Sequence, residues 1–247
     1  MAELFNEFTN RRGLLVYGGE ASEDYGMVIA EAPSFEKPTR KNTVYNVPGR
    51  NGAIIFQENA FDDITRNYRV WIADDAKKDL GETIHALTAW LYSNKGYQRL
   101  EDSFEPEIFR LAYYNGGNNV SNELMQYGET TLAFVCRPER FYKSGELPLS
   151  VSNGAKINNS TRFTAKPLIH IEGSGTVTIS IGGNTMSASI TDYINIDCET
   201  MNAYRLAAEN KNAQVSGAFP QILPGINTIG ITGSVTSCVI TPRFFTI

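Results

Sequence analysis

The chain has 247 residues, 42% of them apolar and 20% charged, with a formal net charge of −5. This composition excludes a disordered chain, and no stretch approaches the roughly 18 consecutive apolar residues of a membrane helix. Residues 1–140 hold 15 Lys and Arg against 21 Asp and Glu, and residues 141–247 hold 7 against 6. An acidic first half speaks against stable binding of nucleic acid, which needs a basic face.

From the N-terminus, Met1 to Asn10 contains Glu3 and Glu7 and no apolar run, so no signal peptide is expected and synthesis in a cytoplasm is. Gly13 to Tyr17 predicts a strand ended by Gly18-Gly19, and Met27 to Ala32 a second, stopped by Pro33. Thr39 to Val47 leads into Pro48-Gly49-Arg50-Asn51-Gly52. Pro-Gly favours a type II turn and Asn-Gly a type I′ turn, so this segment predicts a sharply folded hairpin loop. Ala53 to Phe56 and Tyr68 to Ile72 follow as strands.

One helix stands out, from about Lys77 to Ser93. Leu80, Ile84, Leu87 and Leu91 form one apolar stripe. Asp74 or Asp75 can cap its start, Asp79 lies near the positive end of its dipole, and Asn94-Lys95-Gly96 supplies a stop. A lone amphipathic helix amid strands is expected to lie across a sheet and cover its core. Arg99-Leu100, Ile108 to Tyr114 and Thr130 to Cys136 read as strands, and Asn115 to Asn119 as a loop.

Pro138 marks a break, and the stretch from Arg137 to Arg162 is rich in Gly, Pro, Ser and Asn. A domain boundary near residue 140 follows, giving domains 1–140 and 141–247. The second half reads as pure β. Thr176 to Ile181 alternates, Gly182-Gly183-Asn184 turns, and Thr185 to Ile190 alternates again, a hairpin with one apolar and one Thr/Ser face. Ile194, Ile196 and Cys198 repeat the pattern, and Pro224-Gly225 and Gly233-Ser234 divide the later strands. Many short strands without a helix predict a β-sandwich.

Catalytic chemistry finds few groups. Cys136, Cys198 and Cys238 are scattered and read as buried thiols, and the histidines are His85 and His170 alone, so no metal site is expected. His85 sits in the helix as a solvent-facing or half-buried residue, and alternation turns His170 away from Ile169 and Ile171. The pairs Asp62-Asp63, Asp74-Asp75 and Glu101-Asp102 are poor glycosidase candidates, because neighbours on a strand point to opposite faces. Gly18-Gly19 and Gly116-Gly117 lack the setting of a P-loop, and no calcium loop occurs. No catalytic residue, cofactor or metal is therefore assigned, and wall-degrading activity is disfavoured.

The order of features resembles the distal tail protein family of siphophages, often called Dit. The likeness is carried by Tyr45 to Gly52 (YNVPGRNG), by Trp90-Leu91 followed by Lys95 to Asp102 (KGYQRLED), and by Gly128 to Pro138 (GETTLAFVCRP). Ala165 to Gly173 (AKPLIHIEG), Tyr193 to Glu199 (YINIDCE), Phe219 to Gly233 and Ile240 to Arg243 continue it. Each motif is a common turn or strand, and the collinear set spans nearly the whole chain.

The resemblance implies a mainly β fold: a tail-tube-like N-terminal β-sandwich with one α-helix and a long β-hairpin, then a C-terminal galectin-like β-sandwich. It implies a non-enzymatic baseplate hub at the virion tail tip, a homo-hexameric ring joining the major tail (tube) protein to the tail-associated protein. Receptor-binding or other baseplate proteins would attach, and tape-measure protein and DNA would occupy the lumen without specific binding. Pro48, Gly49, Arg50, Asn51 and Gly52 are the candidate contact with a neighbouring subunit or the tube; the alternative is an exposed turn. A galectin-like domain also raises a rival function, a carbohydrate-binding module recognising the bacterial wall. Its candidates are Tyr193, Tyr204, Phe219, Phe244 and Phe245 with His170 and Arg205, although strand patterns place most of the aromatics in the core.

Overall fold

The computed structural model describes residues 13–73, 80–116, 121–123, 127–206 and 209–247. The expected caps Asp74 and Asp75, Asp79, the helix start at Lys77, the first ten residues and loop residues 117–119 lie outside them. The chain divides into two compact units, one reaching Arg140 and taking in Ile247, the other running from Phe141 to Thr246. It is mainly β, as the alternation predicts, with one α-helix among the described residues.

The first unit contains β1 (Leu15–Tyr17), β2 (Glu20–Ala21), β3 (Met27–Ile29), β4 (Arg40–Tyr45), β5 (Ile54–Phe61), β6 (Ile64–Ala73), α1 (Leu80–Ser93), β7 (Gln98–Asp102), β8 (Ile108–Tyr114) and β9 (Ser121–Glu123). β10 (Tyr127–Tyr142) ends it. Its sheet runs β2-β1-β7-β8-β10-β6-β3, with β9 also on β10. Every second residue of β6 and β10 enters the core, and α1 covers that face with Leu87, Trp90 and Leu91. Phe134 is the aromatic centre, with ring centroids 4.9 Å from Tyr17, 5.5 Å from Tyr114 and 5.9 Å from Tyr68. Trp90 stacks on Tyr25 at 4.7 Å and donates its indole N–H to the Tyr17 carbonyl at 3.1 Å, so the helix is held by both packing and a buried hydrogen bond.

A charged cluster is buried at one end of this core. Arg66 and Asp102 have side chains only 2% and 1% exposed and pair at 3.0 Å. Tyr68 accepts from Arg66 Nε at 2.7 Å and donates to Asp102 at 2.8 Å, and burial keeps its hydroxyl protonated by raising its pKa well above the usual value. The other Asp102 oxygen accepts the backbone N–H groups of Phe104 and Glu105, each at 3.0 Å. Glu105 in turn meets Arg66 at 3.2 Å, Arg110 at 2.5 Å and Arg140 at 3.3 Å. Arg66 also donates to the Ser34 carbonyl at 3.3 Å, which ties the segment before β4 to the core.

The second unit contains β11 (Leu149–Ser150), β12 (Lys156–Asn159), β13 (Leu168–Ile181), β14 (Asn184–Ile190), β15 (Tyr193–Asp197), β16 (Asn202–Tyr204), β17 (Val215–Gly217), β18 (Gly225–Thr228), β19 (Gly230–Thr241) and β20 (Phe245–Thr246). The main sheet runs β11-β19-β13-β14-β17, with β15 also on β13 and β16 on β15, while β12 pairs β18. The predicted β13–β14 hairpin forms with Ile179 opposite Met186 on the buried side and Thr178 opposite Ser187 outside, their hydroxyls 2.9 Å apart.

Three local expectations are corrected. Pro138 does not end its strand: β10 runs through it to Tyr142, past the end of its pairing with β6 at Cys136–Ile64, although the chain does divide at Arg140. Gly233-Ser234 does not divide strands but lies inside β19, at an irregularity in its pairing with β13. There Gly233 takes φ +100, and a Cβ would come within 2.4 Å of the Thr176 carbonyl oxygen. Asn51-Gly52 forms no type I′ turn, since Asn51 does not adopt positive φ.

The cysteines are buried and free, as the strand pattern implies. Burial pushes the Cys136 and Cys238 thiols up to about 11 and Cys198 up to about 12, so none is a ready nucleophile.

One ion pair makes the second unit acid-sensitive. Asp197 takes a bidentate contact from Arg243, at 2.7 and 3.2 Å, and accepts from the Glu199 N–H at 2.9 Å. Burial alone raises its pKa, but Arg243 and the backbone donors outweigh that and hold the carboxyl below its ordinary range. A depressed folded value gives stability that is complete above the unfolded value, about 3.9, and is lost as pH falls through the folded one. Thermal melts should therefore show an acid-side loss below about pH 4. That loss should shrink in Asp197→Asn, relative to its own neutral value.

Candidate assembly interface

β4 and β5 form a two-stranded sheet of their own, joined to neither main sheet. Tyr45 pairs Ile54, Val44 pairs Ile55 and Thr43 pairs Phe56. Directly opposite residues share a face, so Tyr45, Ile54 and Phe56 lie on one side and Val44 and Ile55 on the other. The hairpin is apolar on both sides near its tip and exposed on both. Tyr45 is 56% exposed, Ile55 58% and Phe56 58%, and Tyr45 meets Phe56 edge-on at 5.7 Å.

The predicted loop sits at this tip. Gly49 has φ +77 and Arg50 N–H donates to the Val47 carbonyl at 3.2 Å, the type II turn expected of Pro48-Gly49. Gly52 also takes positive φ, +80, and all five residues from Pro48 to Gly52 are exposed. Near the base the pairing slips between Arg40 and Asn42, with Asn59 at φ +52 and Arg40 stacked 4.6 Å over Phe61. Residues 37–57 carry Lys37, Arg40, Lys41 and Arg50 and no acidic side chain, against the acidic excess of residues 1–140 as a whole.

The signal for the apolar tip lay in Ile54-Ile55-Phe56. Three consecutive large apolar residues on a strand are apolar on both faces, a pattern of strands covered on both sides.

Other candidates separate. His85 is exposed on α1. Glu101 pairs with Arg99 on the outer face while Asp102 enters the buried cluster, as alternation requires, and Asp63 accepts from Tyr97. Of the sugar-site candidates, Phe219 and Phe244 pack against the second core and Phe245 lies 5.5 Å from Phe163. His170, Tyr193, Tyr204 and Arg205 are instead brought together on one outward face. Among the described residues no three His, Cys, Asp or Glu side chains gather as a metal site.

Residues 25–136 match the family model of the phage tail protein RIFT-related domain, which takes in the hairpin, the helix and most of the first sheet. This chain contains a phage tail domain. Its fold is that of the Dit protein of phage SPP1, described as a paradigm of the hub adsorption apparatus in phages that infect Gram-positive bacteria. That likeness has a TM-score of 0.75 at 15% identity, over 95% of this chain and 99% of the SPP1 chain. A chain of the phage P2 baseplate, in its activated conformation with calcium, is similar at TM-score 0.53 and 9% identity, over 93% of this chain and 97% of that one. The same baseplate with strontium gives 0.51. No curated protein sequence matches the chain. The match to the phage tail domain lies within the first unit, and the likeness to the SPP1 Dit fold extends through both.

Proposed function

We propose that this protein is a non-enzymatic structural hub of the phage tail tip, made in the host cytoplasm, whose first domain, residues 1–140, assembles into a homo-hexameric ring. In this reading the ring joins the last ring of the major tail protein to the tail-associated protein and to receptor-binding or other baseplate proteins. Its channel carries tape-measure protein and DNA without binding them. The second domain, residues 141–247, is a galectin-like sandwich.

The observation that carries this is the free-standing hairpin. An isolated two-stranded sheet is marginally stable in water, and this one exposes large apolar side chains on both faces. Burial against a neighbour would supply about 25 cal/mol per Å² of apolar surface covered. Its basic residues and the acidic excess of the same domain make a second copy of the chain a fitting neighbour. Pro48, Gly49, Arg50, Asn51 and Gly52 then form the contact tip, and Gly49 and Gly52 set its shape.

Sedimentation velocity tests the ring. The wild-type chain is expected to sediment as a hexamer, alone or on addition of tube protein. Ile55→Asp with Phe56→Asp is expected to leave a folded monomer, since both residues are exposed and outside the core. A wild-type chain that stays monomeric beside tube protein, or a double variant that still forms rings, counts against the proposal.

A further inference from the structure

We propose that Asn51-Gly52, at the tip of the β4–β5 hairpin, is a site of spontaneous deamidation, where water alone converts the asparagine to an aspartyl or isoaspartyl residue. The chemistry stands apart from ring formation; its effect on assembly rests on the ring proposed above.

The reaction asks for a backbone nitrogen free to attack, a side-chain amide free to turn toward it, and room for a ring between them. The Gly52 nitrogen bonds to Cγ of Asn51 as the Cγ–Nδ2 bond breaks, and Nδ2 leaves as ammonia with the Gly52 amide proton. Water then opens the succinimide at either of its carbonyls. The water oxygen enters the new carboxyl group, and the nitrogen regains a proton. No oxidant or cofactor is consumed.

Three Asn-Gly pairs occur in the chain, at 51–52, 115–116 and 153–154, and the structure separates them. Asn51 and Gly52 are both exposed, in the loop between β4 and β5. Among the described residues, nothing hydrogen-bonds the Asn51 side chain or the Gly52 N–H. Nothing stands within 4 Å of the place a Gly52 Cβ would take, so the attacking nitrogen is unshielded on that side. Asn153 is exposed too, but it is tied down. Its oxygen accepts the Ile231 N–H at 2.9 Å, and the Gly154 N–H is given to the Ile229 carbonyl at 2.8 Å. Gly116 is half-buried and lies against the Tyr92 hydroxyl, which crowds ring closure at Asn115. Charge favours the tip as well. Attack passes through the deprotonated amide nitrogen, and a neighbouring cation favours such an anion. Arg50 is next in the chain to Asn51, and residues 37–57 hold no carboxylate.

Either product sets a carboxylate beside Arg50, and the isoaspartyl form adds a methylene to the backbone of the turn. A contact tip that is basic, and shaped by Gly49 and Gly52, loses charge and shape together. Deamidation before assembly therefore weakens the subunit contact.

Peptide mapping by mass spectrometry tests this, on full chain incubated in heavy-oxygen water at neutral and mildly alkaline pH. The chain is kept dilute enough to sediment as a monomer; where rings persist, the Ile55→Asp, Phe56→Asp variant takes its place. Asn51 is expected to take up label about tenfold or more faster than Asn153, since each hydrogen bond that must open first slows ring closure. Asn115 is expected to lag as well, and the rate at Asn51 is expected to rise with pH. Asn51→Gln, which would have to close a larger ring, is expected to abolish labelling at this position and to leave the thermal melt unchanged. Asn51→Asp installs the carboxylate without the reaction, and is expected to raise the concentration needed for self-assembly about threefold. An Asn51 that keeps its amide in folded chain at alkaline pH, or loses it no faster than Asn153, overturns the proposal. Labelling at Asn51 in a chain that never self-assembles upholds the chemistry and sinks the ring. A ring that forms equally well with Asn51→Asp overturns the effect on assembly.

Discussion

Asp102→Ala is expected to destabilise the first unit by about 3–5 kcal/mol, the range for breaking one partner out of a buried ion pair. Asp102 accepts four hydrogen bonds, from Arg66, Tyr68 and the backbone of Phe104 and Glu105. Removing it strips Arg66 of its closest counter-charge where its side chain is 2% exposed. Glu105 is left to serve Arg66, Arg110 and Arg140 together. Both tryptophans, Trp71 and Trp90, lie in the first unit, so a urea titration followed by tryptophan fluorescence reads this loss directly. Glu139→Ala is the comparison. Its pair with Arg137 is partly exposed, and removing it should cost within about 1 kcal/mol. Equal midpoints for the two variants would show that the buried cluster is not what holds this end of the unit. The proposed ring adds a second readout through Ser34: with Arg66 displaced, the root of the hairpin loses an anchor, so the self-assembly proposed for the hairpin should weaken in variants that still fold.

How much of this was legible in the sequence depends on the range of the forces involved. Thr176 to Ile190 was legible, because a strict two-residue alternation with a Gly-Gly turn has one physical solution. The helix face of Leu87 and Leu91 was legible for the same reason. Pro138 and Gly233 misled, since their effect depends on which edge of a strand is paired and on a neighbouring carbonyl. Those facts belong to the tertiary structure. The hairpin tip was placed correctly by Pro48-Gly49, yet its isolation from both main sheets could not be read locally. The Arg66–Asp102–Glu105 cluster was missed entirely. Its members are separated by 36 and 39 residues, and on their own each looks like an ordinary surface charge. Likewise the meeting of His170, Tyr193 and Arg205 follows from the β13–β15 register, which no local pattern specifies.

The second unit offers the other large effect. Asn159 is 1% exposed and bonds four ways: its amide donates to the carbonyls of Phe163 at 2.9 Å and Ile222 at 3.1 Å. Its oxygen accepts from Thr161 N–H at 3.0 Å and from the Thr161 hydroxyl at 2.7 Å. Asn159→Ala removes these bonds, but part of the loss is covered. Ala165 N–H still reaches Ile222 O, and the Thr161 hydroxyl still reaches Phe163 O. A cost of about 2 kcal/mol is expected. Asn159→Asp keeps the shape and is expected to be worse at neutral pH, by about 3 kcal/mol or more. One carboxylate oxygen would keep the two Thr161 donors, but the other, in place of the amide nitrogen, would face the Phe163 and Ile222 carbonyl oxygens in a site closed to water. Burial would raise the folded pKa of such a group above about 3.9, so the penalty should grow as pH rises past that value and fade below it. Circular dichroism melts of the two variants across pH 4 to 8 check this. Asn159→Asp should approach or exceed Asn159→Ala in stability at the acid end and fall below it at neutrality. Curves that stay parallel would mean that water or a moved loop relieves the charge, and that this asparagine does not fix the 159–163 turn as its four bonds imply.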